Sequence, residues 1–196
     1  MSRIVAHAIS WIFNPGTLVL GLLILGVAVS PISMLAKIWW YVGYLVATGL
    51  GGVILLFSWA HGLVIDADLT TPINLRDRTR VLLFFLAILA LMLFASFQAN
   101  QVQPLHTILI TLLVIGAVVA AITLVWKISL HMLGVGTLTA ALLLVFGPSW
   151  WSVSLLVPLV AWARLRLHRH TPYQLVGGFA LGVGITSLIF WWSGIV

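Results

Sequence analysis

Seven stretches of this 196-residue chain are apolar over lengths at or near those needed to cross a bilayer, and that property constrains the fold more than any other. A transmembrane helix takes about 17–25 such residues. In lipid, only helices and closed barrels satisfy every backbone N–H and C=O, and unbroken apolar runs rather than alternating ones select the helix. The runs fall at residues 13–29, 40–59, 81–97, 107–126, 129–146, 150–162 and 175–192. The sixth is short and contains Pro158, so it is read as kinked or re-entrant, with six crossings as the alternative to seven. All ten Trp residues (11, 39, 40, 59, 126, 150, 151, 162, 191 and 192) sit at the ends of these runs, as interfacial aromatic belts require.

Composition excludes the alternatives. Nine Lys or Arg and three Asp are the only charged residues, 6% of the chain, against about 25% in a soluble domain. Mean hydropathy is +1.24. A soluble globular fold, a disordered chain and a nucleic-acid binder are thereby ruled out, and the pI near 10.9 reports where cations sit in a membrane protein. With no Cys, the chain has no disulfide, thiolate nucleophile or sulfur metal site. Arg3 ahead of an apolar run imitates a signal peptide, but residues 31–36 make a poor cleavage region, so the segment is expected to stay as a span. The expectation is an all-α, polytopic integral membrane helix bundle forming a single domain over residues 1–196.

With seven spans, Arg3, Arg76, Arg78, Arg80, Lys127, Arg164, Arg166 and Arg169 share one side and Lys37 alone faces the other. This split makes the rich face cytoplasmic by the positive-inside rule. Asp66, Asp68, Asp77, His61, His131, His168 and His170 lie on the same face, and His106 on the opposite one. Gly49-Leu50-Gly51-Gly52 and the Gly177, Gly178, Gly182, Gly184 series fall inside spans and are read as close helix–helix packing.

Three segments on that face carry the chemistry. In the first, Arg164 is followed by five residues, His170, three residues and Gln174. Thr171-Pro172-Tyr173-Gln174 reads as a helix start, with Thr at the N-cap, Pro at the first helical position and Gln three residues after the cap. His170 then stands next to a helix N-terminus, where backbone N–H groups and the dipole favour an anion. The second segment, from Lys127 to Gly134, puts Ser129 and His131 at a helix entrance, from which both can reach one pocket. The third alternates Arg76, Arg78 and Arg80 around Asp77, a pattern able to clamp a phosphate bidentately. Each segment has a plainer reading: lipid headgroup contact for the first, a hydrogen-bonded structural His for the second, positive-inside anchoring for the third.

Taken together, the three segments resemble the phosphatidic acid phosphatase type 2 superfamily. Its three boxes run in this order: Lys, six residues and Arg-Pro; then Pro-Ser-Gly-His; then Ser-Arg, five residues, His, three residues and Asp. Ser129-Leu130-His131 matches Ser-Gly-His with Leu for Gly, and Arg164 and His170 match the third box with its spacing. The 32 residues between His131 and Arg164 fit the family's interval, and the likeness spans roughly residues 66–190. The resemblance implies a membrane phosphatase acting on a phosphate monoester or diphosphate of a lipid or isoprenoid. His170 would be the nucleophile that becomes phosphorylated, and His131 would protonate the leaving alkoxide. Arg164 and Ser129 would hold the phosphoryl oxygens, aided by Lys127, with Arg76, Arg78 or Arg80 standing in for the first box. No cofactor and no metal is implied, and the partners are the lipid-phosphate substrate and the bilayer of a bacterial inner membrane.

The chain departs from the family pattern at Ala163 for Ser, at Gln174 for Asp, and in a first box without its Lys and Pro. Gln174 can hold the nucleophilic His in one tautomer but brings no charge, so a non-catalytic protein that binds phosphorylated lipids is the alternative. A further alternative is a Mg²⁺-dependent prenyl transferase built on Asp66, Asp68 and Asp77, although the second half of the chain has no acid. Metal ligation by His61 with Asp66 and Asp68, or by His168 with His170, has no diagnostic spacing.

Overall fold

The computed structural model describes residues 2–61, 75–100 and 102–195, with residues 54–56, 58–59 and 75–81 described by backbone alone. Among the described residues the chain is all-helical. The helices are α1 (Arg3–Ile12), α2 (Pro15–Val29), α3 (Met34–Ala60), α4 (Leu75–Gln98), α5 (Leu105–Thr123) and α6 (Leu130–Phe146). A 3₁₀ segment (Pro148–Leu155), α7 (Leu156–Arg166) and α8 (Pro172–Trp192) follow. Among the described residues, Arg3–Val29, Leu105–Thr123 and Pro172–Trp192 are long and apolar enough to cross a membrane. Leu82–Gln98 and Leu130–Phe146 are shorter apolar helices.

Local chemistry sets the breaks. The first apolar run is preceded by a separate helix that its sequence did not announce. Asn14 ends α1 and starts α2: its Oδ1 accepts from the Thr17 N–H at 3.1 Å, and Pro15 takes the first helical position. In the sixth run the break is not at Pro158. That residue lies in the first turn of α7, where the missing N–H has no intrahelical partner to lose, so the α-helix continues through it. The interruption is instead the 3₁₀ segment that follows Gly147, whose φ of 82° is open to glycine and strained for other residues.

The helices form two compact units. One comprises Met1–Leu22 and Ile128–Val196; the other is Leu23–Lys127. In the first unit, Ala6 and Ile9 of α1 join Leu18, Met132, Val135, Val160, Ala163 and Leu175 in one apolar core. Helices α6 and α8 approach to backbone contact. A Cβ on Gly178 would stand 2.5 Å from the Ser129 carbonyl oxygen, one on Gly136 2.6 Å from that of Phe179, and one on Gly182 against the Leu133 carbonyl.

In the second unit, α4 and α5 pack as a hairpin, with Leu86 filling the space beside Gly116. Gly51 lies against the Phe85 ring, whereas Gly49 and Gly52 have no neighbour within 4 Å of a Cβ position. Among the described residues, the packing role read for that glycine run is seen at Gly51.

Candidate functional site

The site is built where α6, α7 and α8 begin or end, all within the first unit. Ser129 is the N-cap of α6, with extended backbone, and its Oγ accepts from the Met132 N–H at 3.4 Å. Its own N–H donates to the Gln174 carbonyl at 3.2 Å, tying the start of α6 to the start of α8. This approach is possible because Gly178, one turn further along α8, has no side chain to meet the Ser129 carbonyl.

The five-residue spacing from Arg164 to His170 has a structural cause. Helix α7 ends at Arg166 in a Schellman turn: the His168 N–H donates to the Leu165 carbonyl at 2.9 Å, and the Arg169 N–H to the Arg164 carbonyl at 3.2 Å. His168 takes the left-handed position of that turn, with φ of 53°. The reversal sets His170 just ahead of α8, whose start is the expected capping box: Gln174 N–H donates to Thr171 Oγ1 at 3.4 Å, and Thr171 N–H to Gln174 Oε1 at 3.1 Å.

Gln174 Oε1 has a second contact, His170 Nδ1 at 3.1 Å. The Thr171 amide can only donate, so the side-chain atom it meets is the oxygen, and His170 Nδ1 must then carry the hydrogen. In the neutral ring this puts the lone pair on Nε2. Gln174 thus fixes a tautomer with one atom that also caps a helix.

Helix α1 supplies a residue that no sequence motif marks. The Ser10 carbonyl accepts from His131 Nε2 at 3.1 Å, and the Ser10 Oγ accepts from Arg164 Nη1 at 3.2 Å. The carbonyl cannot donate, so His131 keeps its hydrogen on Nε2, and in the neutral ring the lone pair is on Nδ1. Arg164 is 2% exposed, His131 5% and His170 8%, with Ser129 fully buried. Ser129 and His131 stand at the start of α6 and His170 just ahead of α8, while Arg164 lies in the last turn of α7.

Two sets of contacts result: Ser10 accepts from both His131 and Arg164, while Gln174 bonds the His170 ring through its side chain and the Ser129 N–H through its carbonyl. Lys127 is half-buried and closes the second unit, two residues before Ser129 in the chain. The side chains of Arg76, Arg78, Arg80 and Asp77, and all of Asp66 and Asp68, lie outside the described residues. His61 donates from Nδ1 to the Phe57 carbonyl at 2.9 Å and stacks on the Phe57 ring. Among the described residues no three His, Asp or Glu side chains converge as a metal-holding group. Compared with known proteins, the chain matches no protein family, no curated protein and no solved structure.

Proposed function

We propose that the chain is a membrane phosphatase of the phosphatidic acid phosphatase type 2 kind, hydrolysing a phosphate monoester or diphosphate of a lipid or isoprenoid through a phosphohistidine at His170. The observation that supports this reading is that three buried side chains are held in place, His170 by Gln174 and both His131 and Arg164 by Ser10. His170 Nε2 attacks phosphorus as the bond to the leaving oxygen breaks. His131, as imidazolium, gives that oxygen the Nδ1 proton and keeps Nε2–H on Ser10. Arg164, the Ser129 hydroxyl and the α6 N-terminus neutralise the phosphoryl oxygens. Water, deprotonated by His131 Nδ1, then attacks the phosphohistidine, releasing phosphate and restoring both rings. Seven crossings, the sixth made of the 3₁₀ segment and α7, would put this site on the cation-rich cytoplasmic face, with the lipid chain lying among the helices.

Gln174 where the family has Asp favours a second reading, a lipid-phosphate binder that has lost turnover. Phosphate release by purified protein in detergent with EDTA separates the two, using phosphatidate, phosphatidylglycerophosphate and prenyl phosphates and diphosphates as substrates. The phosphatase reading expects turnover that survives EDTA and vanishes in His170→Ala. Binding of those lipids without turnover supports the binder. Activity that requires Mg²⁺, or that persists in His170→Ala, overturns the phosphohistidine mechanism.

A further inference from the structure

Away from these residues, Arg3 and His7 of α1 line, with Leu167, His168 and Arg169 of the α7–α8 turn, an open surface pocket of about 280 Å³. Arg3 and His7 are four residues apart on a helix and share one face. Ala6, Ile9 and Ser10 are buried and pin that helix in place. The opposite wall is set by the Schellman turn, in which the Arg169 N–H is bonded to the Arg164 carbonyl.

The turn also fixes one lining residue. His168 occupies the left-handed position of the turn, with φ of 53°, where glycine is the residue that fits without strain. The His168 imidazole lines the same pocket as Arg3, His7 and Arg169.

We propose that Arg3, His7, His168 and Arg169 bind a phosphate-type oxyanion, at a site separate from the one at His170. Two guanidiniums and two imidazole N–H groups converge from chain segments about 160 residues apart. Arg supplies the forked donors that oxyanions fit best. The site goes beyond the proposed hydrolysis and shares no side chain with it, so either can fail alone.

The test is histidine side-chain NMR on the full-length protein carrying His170→Ala, which keeps the readout independent of turnover. Inorganic phosphate is titrated in detergent against chloride at matched ionic strength. Nanodiscs of phosphatidylcholine, with and without phosphatidate, form the second arm. The His7 and His168 resonances are expected to move together and saturably. A response to inorganic phosphate identifies a free-phosphate site, and a response confined to phosphatidate nanodiscs a lipid-borne headgroup. Arg3→Gln, an exposed substitution, is expected to weaken binding about tenfold while Arg3→Lys retains most of it. His168→Gly is expected to raise the melting temperature and still weaken binding, a pairing that a purely structural histidine would not give. No saturable response in either arm, or binding unchanged in both Arg3→Gln and His168→Gly, overturns the site.

Discussion

The two units bury polar side chains in different ways. In the second unit His106, 4% exposed, is bonded through Nδ1 to Ser96 Oγ at 2.8 Å and packed edge-on against Phe97, both in the helix before its own. Lys37 Nζ donates to the Ala28 carbonyl at 2.6 Å, nine residues back, at the C-terminal end of α2. Ser30 returns its hydroxyl to Gly26 at 2.6 Å. Each group is satisfied locally, by a partner within ten residues. In the first unit His131 and Arg164 meet Ser10 across 121 and 154 residues of chain. Ordering such distant partners costs loop entropy, and withdrawing a guanidinium from water costs more. A lone apolar-face histidine with a neighbouring hydroxyl is a structural histidine. Burial alone does not mark a site; the convergence of titratable groups from several helix ends does.

Paired substitutions break or sharpen this contrast. The largest effect is expected at the histidines. His131→Ala should lower turnover about a hundred- to ten-thousandfold, the range of a lost general acid. His106→Ala should leave turnover per folded molecule nearly unchanged while costing about 2 kcal/mol of stability, through the orphaned Ser96 hydroxyl and the cavity. Steady-state rates and melting temperatures in detergent separate the two. Equal rate losses would erase the distinction between the units.

The glycines come next. Gly178→Ala should cost about 1–3 kcal/mol as the Cβ forces α8 off the Ser129 carbonyl, and should lower turnover with it. Gly49→Ala, open on all sides, should be neutral or stabilising by about 0.5–1 kcal/mol. Thermal melts read both.

Ser10→Ala removes the hydroxyl acceptor of Arg164 and keeps the carbonyl that holds His131. It should lower kcat/KM about tenfold, the 1.4 kcal/mol typical of a charge-assisted hydrogen bond. Ser30→Ala, an equally buried serine of the second unit, should change kcat/KM less than about twofold. A gain in turnover is expected from Gln174→Glu. Glutamate preserves the capping box and adds the missing charge beside His170, so turnover should rise about three- to tenfold. A fall would show that the amide, not a carboxylate, suits this ring.

Local rules made much of this legible in the sequence. The capping box at Thr171–Gln174 is a four-residue signal and reads directly; of the α8 glycine series, Gly178 and Gly182 pack against α6 as expected, whereas Gly184 has no neighbour within 4 Å of a Cβ position. Ser129, His131, Arg164 and His170 stood out because their spacing reflects helix caps: an N-cap with the second helical residue, and one Schellman turn leading into a new helix. Ser10 was illegible. Half of its contribution is a main-chain carbonyl, and the partners lie beyond any window in which periodicity or spacing is read. One signal pointed toward it: Asn14-Pro15, an N-cap and first-turn pair that splits α1 from α2 and leaves Ala6, Ile9 and Ser10 on one face. Pro158 misled for a related reason. A proline breaks a helix interior but not a first turn, and only the 3₁₀ segment before it reveals which of the two it occupies.

The central claim is that His170, held by Gln174, forms the covalent intermediate. The most direct measurement is rapid acid- and alkali-quench during turnover of a lipid phosphate carrying ³²P in its headgroup, followed by peptide mapping. The account predicts a protein-bound label that is acid-labile and alkali-stable, maps to His170 and is absent from His170→Ala. Turnover with no such adduct, or an adduct that persists in His170→Ala, would contradict it.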